Sequence, residues 1–258
     1  MFRKPLPLKV AGVLGLGAGL FYVLFAVEFA TQIQSLNPYA EQDWRDVLEQ
    51  QASNAGPTIL TQSLVFLASI LLLFFIAGLA SQAAKRHPTT AGMAGIFMGA
   101  AAGMLALRAL WIAFVQIPMA ITFHGSLDQT FRTALVNQYR VDVFASLFFA
   151  WGYIFFMAVG LLLMAGALLP QKYLAYTLPI TFGLAALSCL TFIPALAYVG
   201  NQLFMARLFD RELASAFFFA AWFLPGLAFL NAGSWLIREG FRDVAAEEIT
   251  DLHLEQTA

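Results

Sequence analysis

Charge is what this chain has least of. Among its 258 residues there are 14 Lys and Arg and 15 Asp and Glu, 11% in all, where a soluble domain carries about 25%. With a mean hydropathy of +0.76, that scarcity excludes an ordinary soluble globule and points to a polytopic membrane protein. A net charge of −1 supplies no basic face for phosphates, so no nucleic-acid partner is expected. The single cysteine, Cys189, excludes an intrachain disulfide and a cysteine-held metal cluster, and reads as a small buried apolar residue.

Catalytic chemistry is missing as well. His87, His124 and His253 all fall outside the apolar runs, which excludes paired-histidine haem ligation inside a membrane and argues against a buried histidine zinc site. There is no His-Glu-x-x-His, no phosphate-cradling Gly-x-x-x-x-Gly-Lys and no intramembrane serine with a helix-borne histidine partner. Gly125 and Ser126 beside His124 read as a turn rather than a nucleophile. Neither enzymatic activity nor a cofactor is expected.

What the chain does have is apolar sequence, 60% of all residues. Six runs exceed the roughly 20 residues that a bilayer core demands of a helix: Leu8–Ala30, Thr58–Ala80, Gly92–Pro118, Val143–Leu169, Tyr173–Val199 and Leu213–Ile237. The expected fold is an all-α integral membrane bundle of six transmembrane helices over residues 1–238, with an acidic cytoplasmic tail at 239–258. The first run is too long for the apolar region of a signal peptide, and Glu28 would stand at the minus-three position of a cut after Ala30.

Orientation follows from the basic residues. Arg3, Lys4, Lys9, Lys85, Arg86, Lys172, Arg238 and Arg242 fall on one side of alternating helices, and Arg45, Arg132, Arg140, Arg207 and Arg211 on the other. The first set lies near helix ends in short connections, where the positive-inside rule is strongest, so both termini are expected in the cytoplasm of an inner-membrane protein. The longer outer connections carry amphipathic patterns. Ala40–Ala52 places Trp44, Val47, Leu48 and Gln51 on one helical face, the second loop repeats Leu127, Phe131 and Leu135, and the third offers Phe204 and Leu208 more weakly. Such helices either cap the bundle by packing or form a lid over an outward-facing cavity.

Gly95, Gly99 and Gly103 in the third run, and Gly15 and Gly19 in the first, predict close helix approach, within one bundle or between two copies in a homodimer or larger membrane complex. Pro179 and Pro194 in the fifth run and Pro225-Gly226 in the sixth are places where a helix can kink.

The stretch WGYIFFMAVGLLLMAGALLPQKYLAYTLPITFGLAALSCLTFIP, Trp151 to Pro194, combines an aromatic-Gly start, a glycine-interrupted apolar helix, a Gly-x-x-Leu-Pro exit and a second helix with Gly-Leu. In this it resembles a bacterial six-helix membrane family known as domain of unknown function 4386. The separation of Gly166 from Pro170 is one residue longer than in that pattern, and the first outer loop and the acidic tail are longer too. The resemblance implies a six-helix bacterial inner-membrane fold and carries over no activity or site residue.

One charge stands out against this background. Arg108 lies about 4–5 Å from the middle of its run at roughly 1.5 Å per residue, where an arginine costs about 2.5–3.5 kcal/mol to insert. Trp111, one turn on, is placed to stack on it. Glu28 lies about 13 Å outward in the first run, within reach of a long arginine stem. Gln62, Gln116, Asp142, Tyr198 and Asn201 also fall in outer halves of their runs. The candidate binding set is therefore Arg108, Glu28, Trp111, Gln62, Gln116 and Asp142, an outward-opening polar pocket for a small anionic or amphiphilic molecule. The competing readings are an Arg108–Glu28 ion pair, an arginine satisfying backbone carbonyls at a kink, or a non-catalytic membrane subunit or scaffold whose 26 phenylalanines contact lipids, pigments or partner proteins. The lipid bilayer is the one partner expected under every reading.

Overall fold

A computed structural model describes residues 7–35, 44–169, 177–190 and 211–257. In chain order these form α1 (Leu8–Ser35), α2 (Trp44–Ser53), α3 (Ala55–Ala84), α4 (Pro88–Trp111), a π turn (Ile112–Gln116), α5 (Ile117–Gly125), α6 (Gln129–Leu168), α7 (Thr177–Leu190) and α8 (Arg211–Thr257). Among the described residues there is no strand. Among the described residues five spans are long and apolar enough to cross a membrane: Leu8–Glu28, Ala55–Ala84, Pro88–Gly125, Gln129–Leu168 and Phe219–Gly240. The expected fifth span is represented by the shorter apolar α7, and the rest of Tyr173–Val199 lies outside the described residues, as do Phe204 and Leu208.

The long helices and α7 pack in a closed ring: α1 against α3, α3 against α4, α4 against α6, α6 against α7, α7 against α8, and α8 back against α1. Phe229 of α8 is the hub of the interior, its ring 5.1 Å from Tyr22 of α1, 5.7 Å from Phe75 of α3 and 6.4 Å from Phe182 of α7. Tyr22 and Tyr153 flank Trp222 at 5.2 and 5.4 Å. Large apolar side chains such as Leu60, Ile96, Phe114, Phe148, Leu162 and Leu187 stand exposed on the outside of α3, α4, the π turn, α6 and α7. An exposed apolar girdle of this extent is what a lipid solvent requires.

Inside a bilayer there is no hydrophobic effect to draw helices together, so close van der Waals packing must do so. Backbone meets backbone most closely where α1 crosses α8. A Cβ built on Gly12 would lie 2.7 Å from the Gly233 carbonyl oxygen, and one on Gly19 would lie 2.8 Å from that of Gly226. The pairs Gly12/Gly19 and Gly226/Gly233 each repeat at seven residues, which keeps both on one seam of an antiparallel pair. The Gly95/Gly99/Gly103 stripe does less than its spacing predicts. Gly95 approaches Ala80 at 3.1 Å, Gly99 meets Leu73 only at 3.8 Å and Gly103 has nothing within 4 Å.

Pro118, Pro179 and Pro225 all lie within helices. Pro118 does not end the third span: the chain stays helical to Gly125 by passing through the π turn, where the Ile117 N–H bonds to the Ile112 carbonyl. Widening the turn here accommodates a residue that has no N–H and whose ring would crowd the preceding turn. Pro179 lies in the first turn of α7, where its absent N–H breaks no helical bond. Pro225 sits inside an unbroken α8, with Gly226 beside it packed on α1, and the same helix runs on across the 238/239 boundary to Thr257.

The two outer-loop patterns part company. The first forms α2, with Leu48 buried and Trp44 and Val47 packed against Met119, Ala120, Phe123, Val136 and Tyr139; residues 40–43 lie outside the described residues. The second is not a separate helix but the opening turns of α6, capped by Asp128 accepting from the Thr130 and Phe131 N–H groups. Its predicted face is packed only in part: Leu135 joins the contact with α2 and α5, whereas Leu127 is 97% and Phe131 45% exposed. Arg132, Val136 and Tyr139 complete the packed face, because the helix starts after Asp128 and its inward stripe is set by the rest of α6.

Candidate functional site

The register of α4 against its neighbours fixes where Arg108 stands. Met98 packs on Gly160 and Met104 on Gly152, so α4 and α6 run antiparallel and Arg108 comes to the level of Phe149, whose ring lies 6.1 Å from Trp111. Eight residues on, Gln116 Nε2 donates to the Asp142 carbonyl oxygen at 3.4 Å, which ties the π turn to α6. On the other side Gly95 faces Ala80 and Gly99 faces Leu73. Continuing that register brings Gln62, buried on the inner face of α3, to about the level of Trp111 and Ile112.

Several polar atoms in this half of the bundle are short of partners. Arg108 Nε, Trp111 Nε1, Gln62 Oε1 and Asp142 Oδ2 are all buried, and none of them has a hydrogen bond among the described residues. A buried donor or acceptor left unpaired costs about 1–3 kcal/mol, and the bilayer core supplies no water to relieve it. Arg108, Trp111 and Asp142 each keep part of their surface uncovered, whereas Gln62 and Gln116 are 8% and 5% exposed.

Glu28 does not belong to this group. It accepts a hydrogen bond from Thr61 Oγ1 at 3.4 Å on α3, and no ion pair joins it to Arg108 among the described residues. The expected arginine–glutamate pair is therefore not formed, and Glu28 finds a partner across the α1–α3 contact. Of the six candidate residues, Gln116 and Asp142 are brought into contact; among the described residues no hydrogen bond or ion pair joins Arg108, Trp111, Gln62 or Glu28 to one another or to that pair. Tyr198 and Asn201 lie outside the described residues.

A second polar cluster, not anticipated as such, closes the same end of the bundle. Glu49 of α2 is shared by His124 Nδ1 of α5 and by Arg132 of α6, the latter at 2.5 Å. Arg132 also lies over the Phe123 ring at 4.2 Å, Arg140 lies over Trp44 at 5.8 Å, and Trp44 meets Tyr139 at 6.1 Å. The hydrogen bond from His124 first, and the charges of His124 and Arg132 after it, hold the Glu49 carboxyl below its ordinary value. These residues are far apart in sequence, and only their places on amphipathic segments hinted at the cluster. Among the described residues no group of three His, Cys, Asp or Glu is arranged to hold a metal ion.

Comparison of the chain with known protein families, with characterised proteins and with solved structures finds no match.

Proposed function

We propose that this is a six-span bacterial inner-membrane protein, both termini cytoplasmic, that binds or transports a small anionic or amphiphilic molecule at an outward-facing site around Arg108. The observation that carries the reading is a buried arginine Nε and a neighbouring indole N–H without partners, in a span where no carboxylate among the described residues neutralises the guanidinium. An arginine kept at that cost is a recognition element for an anionic group. The likeness of Trp151–Pro194 to the six-helix family and the eight-to-five distribution of Lys and Arg support the topology, which puts the α2 cap on the outer side. No role as an enzyme is proposed.

The exposed rings of Phe114, Phe148 and Phe155 favour a second reading, a scaffold whose α4–α6 flank meets lipids, pigments or another membrane subunit. A stability cycle separates them. Arg108→Leu, Glu28→Gln and the double variant are expected to be additive in thermal unfolding midpoint, because the two residues do not pair. Arg108→Leu is expected to stay folded while losing a co-purifying anionic compound. A double variant that rescues an unstable Arg108→Leu would restore the ion-pair reading, and an Arg108→Leu protein that retains everything the parent binds would leave the scaffold.

A further inference from the structure

We propose that α2 is an acid-released lid, a short helix that pivots at Asn54 and is latched over α5 and α6 by one carboxylate, Glu49. The inference is independent of the Arg108 reading and starts from how little else fastens α2. The helix has 10 residues, fewer than the roughly 12–15 an isolated helix needs to hold its shape in water, so its form depends on what it packs against. Leu48 is its one fully buried side chain, set among Met119, Ala120 and Phe123 of α5 and Val136 and Tyr139 of α6, with Trp44 and Val47 half-buried beside it. A single residue, Asn54, separates α2 from α3. The side chains of Ser53 and Asn54 turn back onto the Gln50 carbonyl, so the last turn of α2 is closed by its own bonds.

The polar fastening converges on one group. One oxygen of Glu49 receives His124 Nδ1 from α5 and the other receives Arg132 Nη2 from α6. Facing a carboxylate, the imidazole nitrogen must be a donor, and so is every guanidinium nitrogen. The other charges around α2 are placed elsewhere: Asp128 caps α6, Arg140 lies over Trp44, and Arg45 and Asp46 occupy exposed positions of α2 itself. Residues 55–61, the first turns of α3, carry no charge. A proton on Glu49 therefore replaces an anion shared by two helices with a neutral acid and removes the countercharge of Arg132. Both ties weaken at one titration. His124, Glu49 and Arg132 all keep solvent-exposed surface, so the proton reaches the latch before the lid opens. The closed state favours the ionised carboxyl, so closure is complete at neutral pH and is lost as pH falls through the lowered folded value. Release uncovers Ala120 and Phe123, which are fully buried under the closed lid.

The test is amide hydrogen exchange on the full chain in detergent micelles, read by mass spectrometry over residues 44–53, with residues 177–190 of α7 as the reference and intrinsic rates corrected for pH. At pH 7 the parent is expected to protect both segments. Glu49→Gln at the same pH is expected to lose about tenfold of the protection of 44–53 and none of that of 177–190. It is expected to change no further at about pH 3.5, where the parent's 44–53 falls to the same level. A second readout needs no change of pH: a thiol at Ala120, beneath the lid, is expected to react with a soluble maleimide about tenfold faster in the Glu49→Gln background than in the parent, while the buried Cys189 stays unreacted. Equal protection of 44–53 in parent and Glu49→Gln at pH 7 would overturn the latch, and a parent whose 44–53 stays protected at about pH 3.5 would overturn acid release. Loss of 44–53 and 177–190 together in Glu49→Gln would make α2 part of the cooperative fold and not a lid.

Discussion

Replacing Gly233 by alanine adds one methyl group where α8 crosses α1, and the structure sets the size of the effect. The new Cβ would lie 2.7 Å from the Gly12 carbonyl oxygen, 2.9 Å from the Leu16 nitrogen and 3.2 Å from the Gly15 carbonyl carbon. All three are backbone atoms, so no side chain can swing away. Ordinary contact begins at 3.4 Å, and α1 and α8 must therefore part by about 0.7 Å. A gap of that size forfeits about a quarter to a half of the dispersion energy of the contacts it opens, and overpacking of this kind costs about 1–3 kcal/mol. Against this stands the better helix propensity of alanine, about 1 kcal/mol. The net expectation for Gly233→Ala is a loss of up to about 2 kcal/mol. Gly103→Ala is the control, because nothing lies within 4 Å of its Cβ and only the propensity gain of about 0.5–1 kcal/mol remains. Reversible unfolding in mixed micelles titrated with dodecyl sulfate, followed by far-ultraviolet circular dichroism, orders the two variants and the parent. A Gly233→Ala protein as stable as Gly103→Ala would refute the argument that the α1–α8 seam is held by backbone contact.

The α2 cap answers to pH in one direction. Because the Glu49 carboxyl is held below its ordinary value of 4.5, its contribution is complete above that value and fades as pH falls through the lowered folded value. Spin labels at Ser53 and Thr122 are expected to keep one narrow distance distribution from pH 7 down to about 4.5 and to broaden only below it, with Glu49→Gln broad throughout; a distribution unchanged at pH 3 would contradict this. Topology is checked by cysteine labelling in intact cells, where a thiol at Ser53 is expected to react with an impermeant reagent and one at Thr89 is not. The reverse pattern would move the Arg108 site to the cytoplasmic side.

Much of the bundle is legible because a membrane helix is written in one continuous apolar run. Leu8–Ala30 and Thr58–Ala80 fall within long helices, and Val143–Leu169 does so up to Leu168, though α6 begins well before Val143. What the runs do not encode is how helices face one another. Gly12, Gly19, Gly226 and Gly233 lie in different spans, and their seven-residue spacing acquires meaning only when α1 is set antiparallel to α8. Gly95, Gly99 and Gly103 have the more conspicuous pattern but a looser neighbour. Pro118 reads as a stop until the π turn shows how the backbone accommodates it. Counting residues from the span ends places Arg108, Trp111, Gln62, Gln116 and Asp142 only in the outer halves of their spans, at different depths. Glu28 lies in an outer half too but belongs to the α1–α3 contact, and depth alone cannot tell helix neighbours apart. The Glu49–His124–Arg132 cluster depends on α2 folding back over α5, a long-range contact to which no local pattern points.

The claim that Arg108 keeps a guest is tested most directly by native mass spectrometry of the full chain released from detergent, parent beside Arg108→Gln. The parent is expected to carry a bound small molecule bearing an anionic group, present in near-stoichiometric amount and lost on mild activation, while the variant, equally folded by circular dichroism, carries none. The same bound mass on both proteins, or a bare parent whose Arg108 is as stable empty as filled, would contradict the account.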